Sequence, residues 1–162
     1  MQSETVFSFQ SCSEAQTIHF GSLLGQLLDA GHIVALIGNL GTGKTRWAQG
    51  IGAGLAVPSD TVINSPTFTF VNQYQGRHRC YHIDLYRLES SKEADTLGLE
   101  DYFYDDSVCV VEWADRVTSI LPSDRLEIHL QHVDDSTRDV TLKAFGKSSE
   151  TMLANFRESA FA

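Results

Sequence analysis

The sequence predicts a single α/β domain in which helices flank a central mixed β-sheet. The apolar run at residues 32–37 is followed by a glycine-rich turn and then by a helical pattern, which is the order of a strand–turn–helix unit. Several short segments further along the chain alternate in polarity or are wholly apolar, as strands do. The 162 residues contain only 3 prolines and no repeat or linker, so we expect one domain over residues 1–162.

A strand and a helix open the chain. Residues 5–9 alternate enough in polarity for a short strand. Ser13 and Gln16 have the spacing of a capping box, which begins a helix whose leucines recur at helical spacing. We expect Gly31 to end this helix before the strand at residues 32–37.

The turn after that strand matches the P-loop pattern G-x-x-x-x-G-K-[ST] in full, with GNLGTGKT at residues 38–45. In a P-loop, backbone N–H groups surround the phosphates, Lys44 reaches the β- and γ-phosphates, and Thr45 offers its hydroxyl to Mg²⁺. An ordinary turn needs neither side chain, so the pattern predicts a nucleotide site. A helix over residues 44–55 follows, with an apolar side. The expected cofactor-binding residues here are Asn39, Leu40, Gly41, Thr42, Gly43, Lys44 and Thr45.

The middle of the chain is typical of an antiparallel pair of strands. Residues 67–74 and 79–86 are rich in β-forming residues. The segment between them, residues 75–78, resembles a hairpin turn in which Gly76 supplies an unusual backbone angle.

The remaining elements complete a mixed sheet. Residues 108–111 are apolar throughout, which indicates a central strand buried on both sides. Alternation predicts two further strands, and helical spacing predicts two helices, one before and one after these strands. These elements cover residues 91–99 (helix), 126–130 and 140–145 (strands) and 150–159 (helix).

Two carboxylates are placed to complete a P-loop site. Glu112 directly follows the apolar strand at residues 108–111, and Asp84 follows residues 80–83. At these strand ends either side chain can hold the metal or a metal-bound water, while the other orients or deprotonates the attacking water. The alternatives are a solvent-facing carboxylate for Glu112, and a turn cap or a partner of Arg87 for Asp84.

A proline-containing loop lies between the P-loop and these carboxylates. Ser65 and Thr67 present hydroxyls on either side of Pro66, and such groups can sense a γ-phosphate as switch loops do. The alternative is a simple entry into a strand, and residue type leaves both open.

Two other groups of residues receive no catalytic role. The histidines at positions 78, 82, 129 and 132 lack metal-ligand spacing, so we interpret them as structural. The aromatic residues Tyr102, Phe103 and Tyr104 fit either a partner surface or the core.

Composition excludes several classes of protein. A net charge of −9, from 21 acidic and 12 basic residues, disfavours direct, tight binding to nucleic acid. Cys12, Cys80 and Cys109 lie far apart and are odd in number, so we expect reduced thiols without a disulfide or zinc site. The N-terminal residues lack the pattern of a signal peptide and no run is long enough to span a membrane, so we expect a cytoplasmic protein without membrane contact.

Four motifs in order, together with a fifth segment, resemble the TsaE (YjeE) family. The resemblance extends from about residue 20 to residue 130, and the ordered set is more specific than a P-loop alone. The motifs are GNLGTGKT at 38–45, SPTFT at 65–69, HIDLYR at 82–87 and EW at 112–113, with LGLEDYF at 97–103.

The resemblance implies a small P-loop ATPase that uses ATP and Mg²⁺. It implies a role in forming the threonylcarbamoyl group on adenosine 37 of tRNAs that read codons beginning with A. The implied partners are the TsaB–TsaD complex, through which tRNA is reached indirectly.

The resemblance also implies roles for individual residues. Lys44 is the phosphate ligand, Thr45 and Glu112 are magnesium ligands, and Asp84 is a further metal-site or catalytic carboxylate. Thr67 takes the switch-loop position with a catalytic role. Trp113 belongs to the nucleotide-binding neighbourhood, with packing as its alternative, and residues 11–13 border the adenine.

Two residues depart from the family pattern. Asn39 stands where Asp is common, and Phe68 replaces the usual Tyr. Neither departure removes a phosphate or metal ligand, so they bear on rate and partner coupling more than on binding.

Two other functions share a P-loop. A small-molecule kinase needs an acceptor pocket and usually a lid with arginines, but the arginines of this chain are dispersed along the sequence. A nucleotide-gated binding switch of the GTPase type needs an Asn-Lys-x-Asp motif, which the chain lacks, so we expect ATP and not GTP. Because no arginine is evidently placed as a finger, we expect slow hydrolysis by the isolated chain.

Overall fold

The structure, a computed structural model, describes residues 4–66 and 69–161. Within these ranges it forms seven strands and five α-helices, with a 3₁₀ helix at Ala114–Ile120. In chain order they are β1 (Glu4–Ser11), α1 (Glu14–Leu27), β2 (Ile33–Gly38), α2 (Lys44–Gly54), β3 (Val71–Gln75), β4 (Arg79–Asp84), α3 (Ser91–Leu97), α4 (Leu99–Phe103), β5 (Val108–Glu112), β6 (Arg125–His132), β7 (Arg138–Phe145) and α5 (Lys147–Phe161).

One mixed sheet runs through the molecule in the order β1-β7-β6-β2-β5-β4-β3. The four central strands β6, β2, β5 and β4 are parallel, whereas β7, β1 and β3 pair antiparallel at the two sides. The predicted α/β fold with a mixed sheet flanked by helices is therefore confirmed. Since parallel strands share one carboxyl edge, the ends of β2, β5 and β4 meet there.

Helices cover both faces of the central strands. One face packs against α1, α2 and α5 through side chains such as Leu24, Ile51 and Phe156, and the other packs against α3, α4 and the 3₁₀ helix. All five residues of β5 are buried, which confirms the predicted central strand. No helix in the described ranges is long and apolar enough to cross a membrane.

The first helix is held against the P-loop helix by close backbone contact. A Cβ atom on Gly25 of α1 would collide with the Ile51 carbonyl oxygen, and one on Gly54 of α2 would collide with that of Ser22. Glycine at these positions lets the two helices approach closely, and this contact fixes the position of α2 at the carboxyl edge of β2.

The predicted capping box at the start of α1 is present with one change. The Ser13 side chain accepts a hydrogen bond from the Gln16 backbone N–H at 3.0 Å. The Gln16 side chain does not return to Ser13 but accepts from the Cys12 N–H at 2.5 Å.

The first helix ends at Leu27 and not at Gly31 as expected, and two other predicted elements differ more strongly from the structure. The helix expected at residues 91–99 is divided into α3 and α4 at Gly98, whose φ of 66° is left-handed and ends the first helix. Of the strand expected from residue 67, residues 67 and 68 lie outside the described residues, and β3 begins at Val71, directly after Phe70 with its left-handed φ of 63°. In the aromatic segment that follows Gly98, Phe103 is buried in the core while Tyr104 is exposed.

The turn between β3 and β4 was predicted correctly, but the reason given for its glycine is wrong. Gly76 has no left-handed φ; instead, a Cβ atom there would collide with the Leu55 carbonyl oxygen. The turn packs against the C-terminal ends of α1 and α2. There the guanidinium of Arg77 donates to the carbonyl oxygens of Gly54 at 3.2 Å and Leu28 at 2.7 Å.

The three cysteines are free thiols, as predicted. Cys12 is exposed, whereas Cys80 and Cys109 are buried. Burial raises the pKa of both Cys80 and Cys109 to about 12, so these two thiols stay protonated and behave as core residues.

Candidate nucleotide-binding site

The P-loop connects the end of β2 to the start of α2. Gly41 and Gly43 adopt φ values of 80° and 100°. Glycine is favoured at such angles because it lacks a Cβ atom. A Cβ atom on Gly38 would lie 2.7 Å from the Thr42 hydroxyl and 2.8 Å from the Leu130 carbonyl oxygen. Three glycines are thus required for the tight turn that presents backbone N–H groups to an anion.

Lys44 begins α2 and is only 5% exposed. Its Nζ donates to the carbonyl oxygens of Gly38 at 2.6 Å and Asn39 at 2.8 Å, and lies 4.0 Å from the centroid of the Trp113 ring. Burial lowers the pKa of Lys44, while the carboxylates of Glu112 and other acidic residues act in the opposite direction. The lysine therefore lies between the loop and the end of β5.

Glu112, the last residue of β5, is buried and contacts the first turn of α2. Its Oε1 accepts from the Thr45 hydroxyl at 3.3 Å, and its Oε2 accepts from the Ser65 hydroxyl at 2.8 Å. The Thr45 and Ser65 hydroxyls are themselves 2.6 Å apart. With Glu112 only 2% exposed, its interpretation as a solvent-facing strand end is wrong.

His82 also contacts Glu112, although the sequence analysis interprets this histidine as structural. Its Nε2 lies 2.5 Å from Oε2 of Glu112, and both side chains are almost completely buried. A signal was present in the sequence: His82 stands two residues before Asp84 in one strand, and residues at this spacing share a face.

Asp84 ends β4 and is the register neighbour of Glu112 in β5. Its Oδ1 accepts from the Tyr86 N–H at 2.9 Å, so it caps the turn after the strand, as one alternative held. Burial raises the pKa of Asp84 above its ordinary value and Glu112 adds to this, against the Tyr86 hydrogen bond and the charges of His82 and Lys44. Asp84 therefore combines a turn cap with a place beside the other carboxylate.

Lys44, Asp84 and Glu112 line one cleft of about 570 Å³ together with most of the P-loop. It gathers nearly all the predicted phosphate and metal residues, but Asn39 does not line it and Thr67 lies outside the described residues. The predicted residues in its wall are Leu40, Gly41, Thr42, Gly43, Lys44, Thr45, Asp84, Glu112 and Trp113.

The cleft wall also contains residues that sequence reasoning missed. Arg46, Arg87 and Arg138, which are dispersed along the chain, all line it. The Arg138 guanidinium donates to the carbonyl oxygen of Gly41 in the P-loop at 3.1 Å, and so joins the β6–β7 turn to that loop. The three arginines are far apart in the sequence, so their positions along the chain do not indicate that they line the same cleft.

The start of α1 forms another part of the wall. Of the segment at residues 11–13, Ser13 lines the cleft together with Glu14 and Thr17. Ser11 is buried beneath them, and its hydroxyl lies 2.6 Å from that of Thr17.

The donors around Glu112 fit a magnesium ion. Thr45 and Ser65 supply hydroxyl oxygens and Glu112 supplies a carboxylate, and hard oxygen ligands are those that Mg²⁺ prefers. Among the described residues, no three His, Cys, Asp or Glu side chains are grouped as a metal cage. A magnesium ion at a P-loop uses one or two protein oxygens together with nucleotide phosphates.

The chain is similar to proteins of one family. The family profile of Threonylcarbamoyl adenosine biosynthesis protein TsaE matches residues 11–140. A tRNA threonylcarbamoyladenosine biosynthesis protein TsaE from Treponema pallidum is 39% identical over 132 residues, which cover 82% of this chain and 96% of that protein. The protein of the same name from Bacillus subtilis is 34% identical over 145 residues, which cover 89% of each chain.

A solved structure shares the fold. The crystal structure of Bacillus subtilis YdiB superposes with a TM-score of 0.84 at 28% identity, covering 98% of this chain and 99% of that one.

Proposed function

We propose that this chain, which belongs to the TsaE family of threonylcarbamoyl adenosine biosynthesis proteins, is a magnesium-dependent ATPase. In this proposal it supports formation of the threonylcarbamoyl group on adenosine 37 of tRNAs that read codons beginning with A. It acts with the TsaB–TsaD complex and reaches tRNA through it. The observation that supports the ATPase most strongly is the contact between Thr45 at the start of α2 and Glu112 at the end of β5, beside the P-loop.

The P-loop binds the phosphates of ATP in this proposal. Backbone N–H groups turned inward by Gly41 and Gly43 donate to phosphate oxygens, and the N-terminus of α2 adds a favourable dipole. The ammonium of Lys44 adds a positive charge where negative charge develops during phosphoryl transfer.

The Thr45 hydroxyl and the Glu112 carboxylate would hold Mg²⁺ directly or through water. When bound, Mg²⁺ neutralises phosphate charge and aligns the terminal phosphate. Asp84 is the neighbouring carboxylate, and burial raises its pKa, which suits a group that orients the attacking water and accepts its proton. Thr67 keeps its proposed switch-loop role.

The charge of the chain and the contacts of the cleft arginines support the proposed dependence on a partner. With a net charge of −9, the chain is poorly suited to hold tRNA itself. Two of the arginines in the cleft wall already bind protein groups, since Arg46 pairs with Glu14 at 3.5 Å and Arg138 donates to Gly41. We therefore propose slow hydrolysis by the isolated chain and faster hydrolysis once TsaB–TsaD completes or orders the site.

The test is ATP hydrolysis with Mg²⁺, by the chain alone and with TsaB–TsaD. Glu112→Ala should abolish stimulation by the pair. The control is Glu127→Ala, which removes another buried, histidine-paired glutamate that lies outside the cleft wall and should leave stimulation intact. A rate that TsaB–TsaD does not change would reject the partner assignment, and a phosphorylated small-molecule product in place of free phosphate would reject the hydrolase.

A further inference from the structure

The Glu112 carboxylate contacts three side chains from three parts of the chain. Oε1 lies 3.3 Å from the Thr45 hydroxyl, whereas Oε2 lies 2.8 Å from the Ser65 hydroxyl and also contacts Nε2 of His82. The contact with His82 is the shortest of the three, at 2.5 Å. The side chains of His82 and Glu112 are each at most 3% exposed. A charge-assisted hydrogen bond in a buried setting strongly restricts the orientation of a carboxylate.

The tautomer of His82 is assigned from the chemistry of the two groups. A carboxylate accepts hydrogen bonds, so we assign the proton to Nε2 of His82. Its other ring nitrogen, Nδ1, is buried and has no hydrogen-bond partner among the described residues. Within that part of the chain, the bond to Glu112 is thus the single hydrogen bond of the imidazole.

A buried polar ring with one partner is costly compared with an apolar side chain. Burial of a polar group costs free energy unless its hydrogen bonds are replaced, and here one nitrogen stays unpaired. Two apolar residues neighbour His82, Val110 beside it in β5 and Cys80 on the same face of β4, while the polar Asn72 lies beside it in β3. Packing alone therefore does not explain a histidine here, whereas the bond to Glu112 does.

We propose, on the basis of the magnesium-dependent function above, that His82 is the positioning residue of the metal site. Its Nε2–H holds Oε2 of Glu112, so that Oε1 is turned toward the Thr45 hydroxyl where the ion would lie. His82 is suited to this because it lies in β4, directly paired with β5. Ser65, the other donor to Oε2, comes from the irregular segment between α2 and β3.

The experiment uses three substitutions that separate donor position from packing. His82→Gln can place an amide N–H near the original Nε2, whereas His82→Asn has the same amide but is one carbon shorter and does not reach Glu112. His82→Leu removes the donor and keeps an apolar side chain. The matched control is His129→Leu, because His129 also contacts a glutamate, with Nε2 2.8 Å from Oε1 of Glu127, but does not line the cleft.

The readout is binding of Mn²⁺, a hard ion that substitutes for Mg²⁺, to the full chain with saturating ADP, followed by electron paramagnetic resonance. We expect His82→Leu and His82→Asn to weaken Mn²⁺ binding by about tenfold or more, the usual effect of losing the group that orients a metal ligand. His82→Gln should recover most of this loss, and His129→Leu should match the wild type. ADP affinity without metal should change less than about twofold, because the P-loop is intact.

The outcomes distinguish this proposal from the proposed function. If His82→Leu and His82→Asn bind Mn²⁺ as tightly as the wild type, or if a folded His82→Gln is as weak as His82→Leu, the positioning role is rejected and the ATPase proposal stands. If the metal-binding pattern is as expected but the wild type releases no phosphate from ATP, the ATPase is rejected and the positioning role stands. A wild type without ADP-dependent Mn²⁺ binding overturns both.

Discussion

The Nζ of Lys44 lies 4.0 Å from the centroid of the Trp113 ring. Trp113 directly follows β5 and has a left-handed backbone, with φ 58° and ψ 38°, which is costly for a bulky side chain. Its ring also packs against that of Tyr86, with centroids 5.0 Å apart. The left-handed backbone of Trp113 thus places its ring against the ammonium of Lys44, the group that we expect to bind phosphate.

We expect ADP to change the fluorescence of Trp113. Movement of the Lys44 ammonium toward phosphate would remove a positive charge from the ring face, and such a contact contributes about 0.5 to 2 kcal/mol. Emission measured during an ADP titration should change in the wild type and in Trp47→Phe, since Trp47 is fully buried in the core. The change should disappear in Trp113→Phe; if it persists there, the lysine contact is not its source.

Substitutions of Lys44 and of Glu112 should impair different properties of the site, namely phosphate binding and metal-dependent turnover. Lys44→Ala removes a charged phosphate ligand and should weaken ADP binding without Mg²⁺ by about tenfold or more, as expected for a charge-assisted hydrogen bond. Glu112→Ala should leave that affinity nearly unchanged and instead abolish Mg²⁺-dependent turnover. Calorimetry in EDTA, combined with hydrolysis rates in Mg²⁺, separates the two effects. An equal loss of metal-free ADP affinity in both variants would contradict this division.

The buried carboxylate of Glu127, which lies outside the cleft, should make the stability of the protein depend on pH. Burial alone raises the pKa of Glu127, but hydrogen bonds from His129 and Arg125 and the charge of Arg125 outweigh it and hold the pKa below its ordinary value of 4.5. A carboxylate with a lowered folded pKa stabilises the protein above pH 4.5, and this contribution is lost as the pH falls through the folded pKa.

Glu127→Gln should therefore destabilise the protein at pH 7, by on the order of 1 kcal/mol for the lost charged hydrogen bonds. The difference from the wild type should shrink as the pH falls below 4.5. Urea unfolding at several pH values measures this. The control is Asp139→Asn, which alters a half-buried carboxylate that accepts a hydrogen bond from Gln10. A Glu127→Gln difference that stays constant down to the acid limit would exclude the linkage.

Local order in the sequence was sufficient to predict three of the residues that line the cleft. Lys44 and Thr45 follow from the P-loop pattern, and Glu112 follows from its place after an apolar strand. These positions depend only on which element a residue begins or ends.

Residues whose role depends on the order of strands in the sheet could not be found in this way. His82 meets Glu112 because β4 lies next to β5, and Arg138 meets Gly41 because the β6–β7 turn returns to the P-loop. Spacing along the chain places His82 on the same strand face as Asp84, but it does not identify Glu112 or Gly41 as the residue that is contacted. The left-handed φ of Phe70 likewise has no local sequence signal, since such angles favour glycine or asparagine.

The contact between α1 and α2 should reverse the usual effect of replacing glycine in a helix. Gly→Ala in an exposed helix stabilises by about 1 kcal/mol, but a Cβ atom on Gly54 would collide with the Ser22 carbonyl oxygen. We expect Gly54→Ala to destabilise by about 1 to 3 kcal/mol, the range for overpacking. Chemical denaturation measures this, with the reverse change Ala53→Gly at the neighbouring exposed position as the propensity control. A stabilised Gly54→Ala would mean that the helices are farther apart than described.

The most specific stability test concerns Arg77, whose guanidinium binds the ends of two helices at once. It donates to carbonyl oxygens of α1 and its cap, Gly25 at 3.2 Å and Leu28 at 2.7 Å, and to that of Gly54 in α2 at 3.2 Å. The last carbonyl groups of a helix lack partners within it, and a cation there also complements the helix dipole. A lysine keeps the charge but not the planar fork of donors, so it cannot span both helices.

Arg77→Lys should therefore lower the free energy of unfolding by about 1 to 3 kcal/mol, as expected when two or three hydrogen bonds to a charged group are lost. Arg79→Lys is the matched control, because Arg79 lies two residues away and forms an exposed ion pair with Asp105, and solvent-exposed ion pairs contribute little to stability. Hydrogen exchange should locate the loss, with faster exchange in the last turns of α1 and α2 in Arg77→Lys alone. Equal stability and equal exchange in the two variants would show that the helix ends do not depend on the bridge.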